Sequence, residues 1–288
     1  MLSGISNLVS VKNPNKSIVS KEFCRQTDLP VSKGGNIPSF AADYNVKTPM
    51  SYKKMAELDL PNNLKAHCYK LSNGQRVVIV PKEGVTVLKT YVNTGSMNEP
   101  DNVRGISHYI EHNLFNGSEG ISANEFFKTV NSMGAQTNAS TSFATTDYFI
   151  SSNLIGDKDL ETQIKIHSSM LETPRFALDM LEKEKGVVNS EISMYEGSPA
   201  VASSNATIKK LYNIQSTSKD LIAGSTDNIT GLTREDVIDY YNNNYYPANM
   251  VTVITGEVEP EKAMSLVAKN FSGSNKITHG RKYQEFTP

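Results

Sequence analysis

Three things are scarce in this chain of 288 residues: cysteine, long apolar runs and charge of one sign. The two cysteines, Cys24 and Cys68, stand far apart with no Cys-x-x-Cys partner. Neither a disulfide framework nor a structural zinc knuckle is indicated, and both read as reduced thiols. No run of eighteen apolar residues exists, which excludes a membrane-spanning helix. The opening segment also lacks the apolar centre of a secretory signal, because Ser and Asn interrupt Ile5 to Val11. Its early lysines and serines suit an organelle-targeting peptide, but Glu22, Asp28 and the lack of an Arg-rich amphipathic face weigh against one. The expectation is a cytoplasmic protein. With 29 basic and 30 acidic side chains interspersed, the net charge is -1 and no basic stripe for nucleic acid stands out. Lys53-Lys54 and Lys209-Lys210 read as solvated surface.

At 38% hydrophobic and 20% charged residues, the chain can bury one sizeable core or two modest ones. Residues 1–60 read as an irregular extension, because Pro14, Pro30, Gly34-Gly35, Pro38 and Pro49 interrupt any periodicity. Residues 61–275 are regular, and 276–288 form a polar tail. Ala66 to Leu71 and Arg76 to Val80 flank Asn73-Gly74, a strong hairpin signal, and Val85 to Val92 should form the next strand. Ser122 and Glu125 make a capping box for a helix through Phe126, Phe127 and Val130, closed by Gly134. Strands follow at Gln136 to Phe143 and Asp147 to Leu154, then helices from Asp157 to Glu172 and from Ala177 to Glu196, with Pro174 between them. Thr233 with Asp236 caps another helix, Met250 to Thr255 is a strand, and Pro260 opens the last helix. Hairpin-linked strands with helices inserted predict an α+β fold: a mainly antiparallel β-sheet with helices packed on one face. There is no short-period repeat and no low-complexity block.

Within this frame stands His108-Tyr-Ile-Glu-His112. Residues four apart on a helix lie one turn above each other, so both imidazoles can reach a single ion at ~2.0 to 2.1 Å. Glu111 sits beside them, too close in sequence for a third ligand but placed to take a proton from water on a metal. Ile106, Ile110 and Leu114 form the apolar stripe of the same helix, while His108, Glu111, His112 and Phe115 fall on the other side. Gly105 and Asn116-Gly117 punctuate its ends.

A catalytic metal needs one more protein ligand. His67 lies in a hairpin strand, His279 in the polar tail, and His167 extends the Leu160, Ile164, Leu171 stripe of a helix, where a core or half-exposed histidine is expected. The segment Leu178 to Tyr195 offers more. Leu181, Val188, Ile192 and Tyr195 recur at helical spacing, and Glu184 and Glu191 share their arc. Carboxylates in an apolar stripe cost several kcal/mol unless a cation or hydrogen-bond donors meet them. Salt bridges to Lys183 or Lys185 would meet that need as a metal would.

The string His108-Tyr-Ile-Glu-His-Asn-Leu-Phe-Asn-Gly117, with Glu184-Lys-Gly-Val-Val-Asn-Ser-Glu191 some eighty residues later, resembles the pitrilysin/insulinase family of zinc peptidases, which includes the mitochondrial processing peptidases. The resemblance extends to Gly134-Ala-Gln-Thr-Asn-Ala-Ser-Thr141 and to Tyr245-Tyr-Pro-Ala-Asn-Met-Val-Thr-Val-Ile-Thr-Gly256, covering residues 65 to 275. It implies a zinc endopeptidase acting on extended peptides or small unfolded proteins. One Zn2+ per chain would be held by His108, His112 and Glu191, with Glu111 as general base and Glu184 as a supporting carboxylate. The substrate would pair with an edge strand containing Asn138, Ala139 and Ser140, and Phe115 would line a pocket beyond the scissile bond.

The family's peptidases also carry a second, similar half, on the same chain or on a partner, with an Arg/Tyr pair that positions substrate. No residue of this chain is assigned to that pair, so a homo- or hetero-oligomer or a longer protein is expected to complete the site. Ser218-Lys-Asp-Leu-Ile-Ala-Gly224 replaces the family's frequent His-Pro-x-Gly string. Two other readings remain open: a non-catalytic subunit of a processing-peptidase-like complex, and a small-molecule zinc enzyme similar to the lyases that cleave S-ribosylhomocysteine.

Overall fold

A computed structural model of the chain describes residues 49–154, 156–211 and 222–271. Most of the expected extension, the polar tail, Cys24, His279 and part of the Ser218 to Gly224 stretch lie outside these residues. The strands are β1 (Tyr52–Leu60), β2 (Leu64–Leu71), β3 (Arg76–Pro81), β4 (Thr86–Val92), β5 (Gln136–Thr141), β6 (Thr146–Ser152) and β7 (Met250–Gly256). The helices are α1 (Ile106–Asn113), α2 (Ala123–Ser132), α3 (Asp157–Glu172), α4 (Leu178–Glu196), α5 (Pro199–Leu211), α6 (Thr226–Gly231), α7 (Arg234–Asn244) and α8 (Pro260–Asn270).

The strands form one sheet in the order β1-β2-β3-β7-β4-β6-β5. Every pairing is antiparallel except β3 with β7, so the sheet is mixed and mainly antiparallel. Alternation decides which face is covered. Thr86, Leu88, Thr90 and Val92 of β4, Tyr148 and Ile150 of β6, and Met250, Thr252 and Ile254 of β7 are buried. Their neighbours Val87, Lys89, Val251 and Val253 are half-buried on the opposite face. The helices α1, α3 and α8 pack against the first face, and the core lies between them and the strands.

Local chemistry accounts for the boundaries. Between β2 and β3, Gly74 at φ +94 donates its N–H to Leu71 O, and the Leu71 N–H returns to Gln75 O, giving a three-residue loop with a left-handed glycine. Ser122 Oγ accepts the Glu125 N–H while Glu125 Oε2 accepts the Ser122 N–H, so both partners of the expected capping box are present. Thr233 and Asp236 do the same for α7.

Two segments depart from expectation. Residues 52–60, placed in the irregular extension, form β1, an edge strand exposed along its whole length and paired only with β2. Helices α5 and α6 lie in a stretch for which no element was expected. Among the described residues no helix is long and apolar enough to cross a membrane.

Candidate metal centre

Helix α1 is short and enclosed nearly all round. Ile106, Ile110 and Leu114 are buried as their stripe predicts, but Ser107, Tyr109 and Asn113 are buried as well. The histidine-bearing side is therefore not an open cleft wall: the side chains of His108 and His112 are each 12% exposed, and Glu111 is 8% exposed. Opposite lies α4, whose buried stripe is Leu181, Glu184, Val188 and Ile192. Packing α1 on α4 brings residues about eighty apart in sequence into one cluster.

The donors converge. His108 Nε2 and His112 Nε2 are 3.3 Å apart, and Glu191 Oε2 lies 3.4 Å from His112 Nε2 and 3.8 Å from His108 Nε2. One tetrahedral ion bonded at ~2.1 Å would hold its donors ~3.4 Å apart. The three donors therefore fit a single ion and form a candidate metal-holding group.

Around them is a shell of hydrogen bonds. His112 Nδ1 is 3.0 Å from Glu184 Oε1, and Asn116 Nδ2 donates to Glu184 Oε2 at 3.0 Å. Glu184 thus turns to the imidazole and the amide, while Lys185 pairs with Glu182 instead. Tyr195 donates its hydroxyl to Glu191 Oε1 at 2.7 Å, leaving Oε2 for the imidazoles. The Thr141 hydroxyl, at the end of β5, donates to Glu111 Oε2 at 2.5 Å.

These contacts set the charges. Burial lifts the Glu111 carboxyl to about 7, against the pull of His112 and Thr141. Burial drops His108 to about 4, reinforced by the neighbouring His112. Burial also opposes a charged His112, yet its bonds to Glu184 and Glu191 hold it up at about 10. Glu191, despite burial, is held at about 2 by the two imidazoles and Tyr195, and Glu184 is lowered by His112 and Asn116. Among the described residues no lysine or arginine pairs with Glu111, Glu184 or Glu191. Three sheltered carboxylates and two imidazoles leave an excess of negative charge that a divalent cation would offset.

The other expected site residues lie nearby. On β5, Ala139 faces the helix layer and is 2% exposed, while Asn138 is exposed on the other side. Ala139 donates its N–H to Asn138 Oδ1 at 2.9 Å. Ser140, opposite Asp147 on β6, turns its hydroxyl to Asp147 Oδ1 at 2.8 Å. Because β5 is the last strand of the sheet, its outer edge has no strand neighbour among the described residues. Phe115 joins an aromatic cluster, edge-on to Phe126 at 5.9 Å, stacked on Phe127 at 6.2 Å and tilted to Tyr148 at 6.2 Å. His167 is wholly buried in the core, and His67 on β2 faces Glu57.

The sequence reading missed Thr141, Asn116 and Tyr195 as partners of the cluster. Tyr195 could have been found from its place four residues after Glu191 on one helix face. Thr141 and Asn116 reach Glu111 and Glu184 only through tertiary packing.

Two histidines and a glutamate with a further buried carboxylate beside them make a donor set of the kind that catalytic metal sites use. Residues 78–224 match the profile of the insulinase family, peptidase family M16, and the chain belongs to that family. Residues 231–288 match the peptidase M16 inactive domain. The uncharacterized zinc protease YmfH of Bacillus subtilis (strain 168) is 34% identical over 215 residues, 70% of this chain and 48% of that protein. The probable zinc protease PqqL of Escherichia coli (strain K12) is 28% identical over 232 residues, 77% of this chain and 25% of PqqL. The crystal structure of the first half of the periplasmic protease PqqL from Escherichia coli superposes with a TM-score of 0.67 at 25% identity, covering 79% of this chain and 50% of that one. Pitrilysin shares the fold at a TM-score of 0.68 and 18% identity, over 77% of this chain and 24% of pitrilysin. The chain spans half or less of the length of these curated relatives.

Proposed function

We propose that this chain is the metal-bearing part of a zinc-dependent endopeptidase. His108, His112 and Glu191 hold one zinc ion per chain, and Glu111 is the general base. The observation that carries the reading is three donors at tetrahedral spacing next to a fourth, buried carboxylate. When bound there, zinc supplies Lewis-acid polarisation of the peptide carbonyl and makes water acidic near neutrality.

The chain's own residues do the rest. Glu111 takes the proton of the attacking water and returns it to the departing amine. Burial raises the Glu111 carboxyl and a bound dication would pull it back down, so its basicity is set by the balance of the two. The Thr141 hydroxyl keeps one oxygen of Glu111 fixed, leaving the other for water. Glu184 orients His112 through Nδ1, and Tyr195 orients Glu191.

An extended peptide pairs with the outer edge of β5, reading backbone at Asn138, Ala139 and Ser140. The Phe115 cluster lines an apolar pocket beside the metal. The Ala139 N–H, held by Asn138 Oδ1, is freed for such a strand when the Asn138 side chain swings away. A second half, on a partner or on further chain, supplies the Arg/Tyr pair. The length of the relatives and the two-half description of PqqL support this reading.

The test is metal analysis of the purified chain, then incubation with an unfolded peptide with and without a chelator, alongside Glu111→Gln. The reading expects bound zinc, chelator-sensitive cleavage, and a Glu111→Gln protein that keeps zinc but is slowed by about a hundredfold or more. Unaltered cleavage by Glu111→Gln removes Glu111 from its role. Zinc without cleavage points to the missing half, and no zinc uptake favours a non-catalytic subunit.

A further inference from the structure

Helix α1 has no side-chain cap of the usual kind. Its N-cap is Gly105, left-handed at φ +89, which leaves the first-turn N–H groups in need of acceptors. Two of them are met from outside the helix. Glu99, buried at 6% exposure, accepts the Gly105 N–H on Oε2 and the Ser107 N–H on Oε1, both at 2.8 Å. Ser107 sits immediately before His108. Its hydroxyl is 2.8 Å from the Tyr240 hydroxyl of α7, which in turn lies 2.9 Å from Thr94 Oγ1. On the other flank, any side chain at Gly105 would collide with the Ala223 carbonyl.

We infer that Glu99 is a positioning residue for the metal centre: its two oxygens fix the first turn of α1, and through it the placement of His108 and Glu111 against Glu191. The geometry explains why a carboxylate stands there. Two N–H groups two residues apart point at one side chain, and a carboxylate can accept from both at once. A glutamine offers one acceptor oxygen and turns its NH2 toward the other donor. In a helix of eight residues the first turn is half the element, so a tilt there moves His108 directly. Burial raises the Glu99 carboxyl, while the Gly105 and Ser107 N–H groups, the Ser107 hydroxyl and the Arg104 charge oppose that rise.

The inference rests on the reading that His108, His112 and Glu191 hold a metal, and the test separates the two. The full chain is stripped of metal and titrated with Co2+, whose visible absorption reports ligand geometry, and affinity is read by competition with a chelator. Three proteins are compared: the unaltered chain, Glu99→Gln, and Ile79→Ala, a destabilising change in the centre of the sheet away from α1. Expected are a tetrahedral cobalt spectrum in the unaltered chain and in Ile79→Ala. For Glu99→Gln the spectrum should be shifted and affinity lower by about tenfold or more, the range seen when groups that orient a metal ligand are removed. If Glu99→Gln does not fold, Glu99→Asp carries the same measurements, because it keeps both oxygens one methylene short of their donors. A Glu99 variant with unchanged spectrum and affinity overturns the inference, as does an equal loss in Ile79→Ala. An unaltered chain that takes up no cobalt sinks the metal reading itself.

Discussion

Acid should weaken this fold through one buried ring. His167 lies on α3 at 0% exposure, with Nε2 3.0 Å from Thr90 Oγ1, its ring against Phe271, and Nδ1 without a hydrogen-bond partner. Thr90 continues to Thr252 and Gln75, so the histidine ends a buried polar chain that offers its second nitrogen no acceptor. Burial lowers its pKa from an ordinary 6.5 to about 3. Below pH 6.5 the unfolded chain therefore binds a proton that the native chain refuses. A depressed native pKa means the contribution is fully present above 6.5 and is lost as pH falls toward 3.

The slope approaches about 1.36 kcal/mol per pH unit, and from pH 7 to 4.5 the loss integrates to about 2.5 kcal/mol. Urea unfolding across that range, on the unaltered chain and on His167→Gln, isolates the effect. The glutamine amide can reach Thr90 but does not titrate, and every other group titrates alike in both proteins. The stability difference between the two should change by about 2.5 kcal/mol over the range. Parallel curves would refute the reasoning, because they would mean that His167 takes its proton in the native state.

Three further outcomes are expected. Glu184→Ala removes the carboxylate that His112 Nδ1 and Asn116 Nδ2 both face, and chelator competition should read about a 10- to 100-fold loss of metal affinity. Thr141→Val removes the hydroxyl that holds Glu111; at about 1.5 kcal/mol for a charged hydrogen bond, kcat should fall about tenfold with KM unchanged in steady-state assays. Gly105→Ala puts a side chain at φ +89 against the Ala223 carbonyl and should cost about 2 kcal/mol or more in urea titrations, unless the loop at 223–224 gives way.

What was legible in the sequence is what local periodicity encodes. Helix α3 falls at Asp157–Glu172 as its stripe and the following Pro174 predict, and the capping residues of α2 and α7 bond as their spacing implies. Strand β1 was hidden because all nine of its residues are exposed, so no apolar alternation marks it, and Lys53, Lys54, Glu57 and Asp59 give it the look of a solvated arm. The paired histidines of α1 could be read because four-residue spacing is a property of one helix. The spacing of Glu184 and Glu191 put both on one face, but which of them meets the imidazoles at the metal side and which at Nδ1 is decided by how α1 crosses α4. Glu99 and Thr141 carry no signal of their own: Glu99 meets N–H groups six and eight residues on through the shape of an irregular loop, and Thr141 meets Glu111 only through tertiary packing.

The place of β7 has a consequence for how the molecule comes into being. It lies between β3 and β4, parallel to one and antiparallel to the other, so the last of the described strands is the middle of the sheet. Among the described strands, β1-β2-β3 on one side and β4-β6-β5 on the other share no ladder except through β7. The strands that flank the seam, β3 and β4, lie more than 150 residues earlier in the sequence than residues 250–256. Pairings between residues so far apart in sequence close slowly, so the central seam is the part of this sheet expected to set the pace of folding.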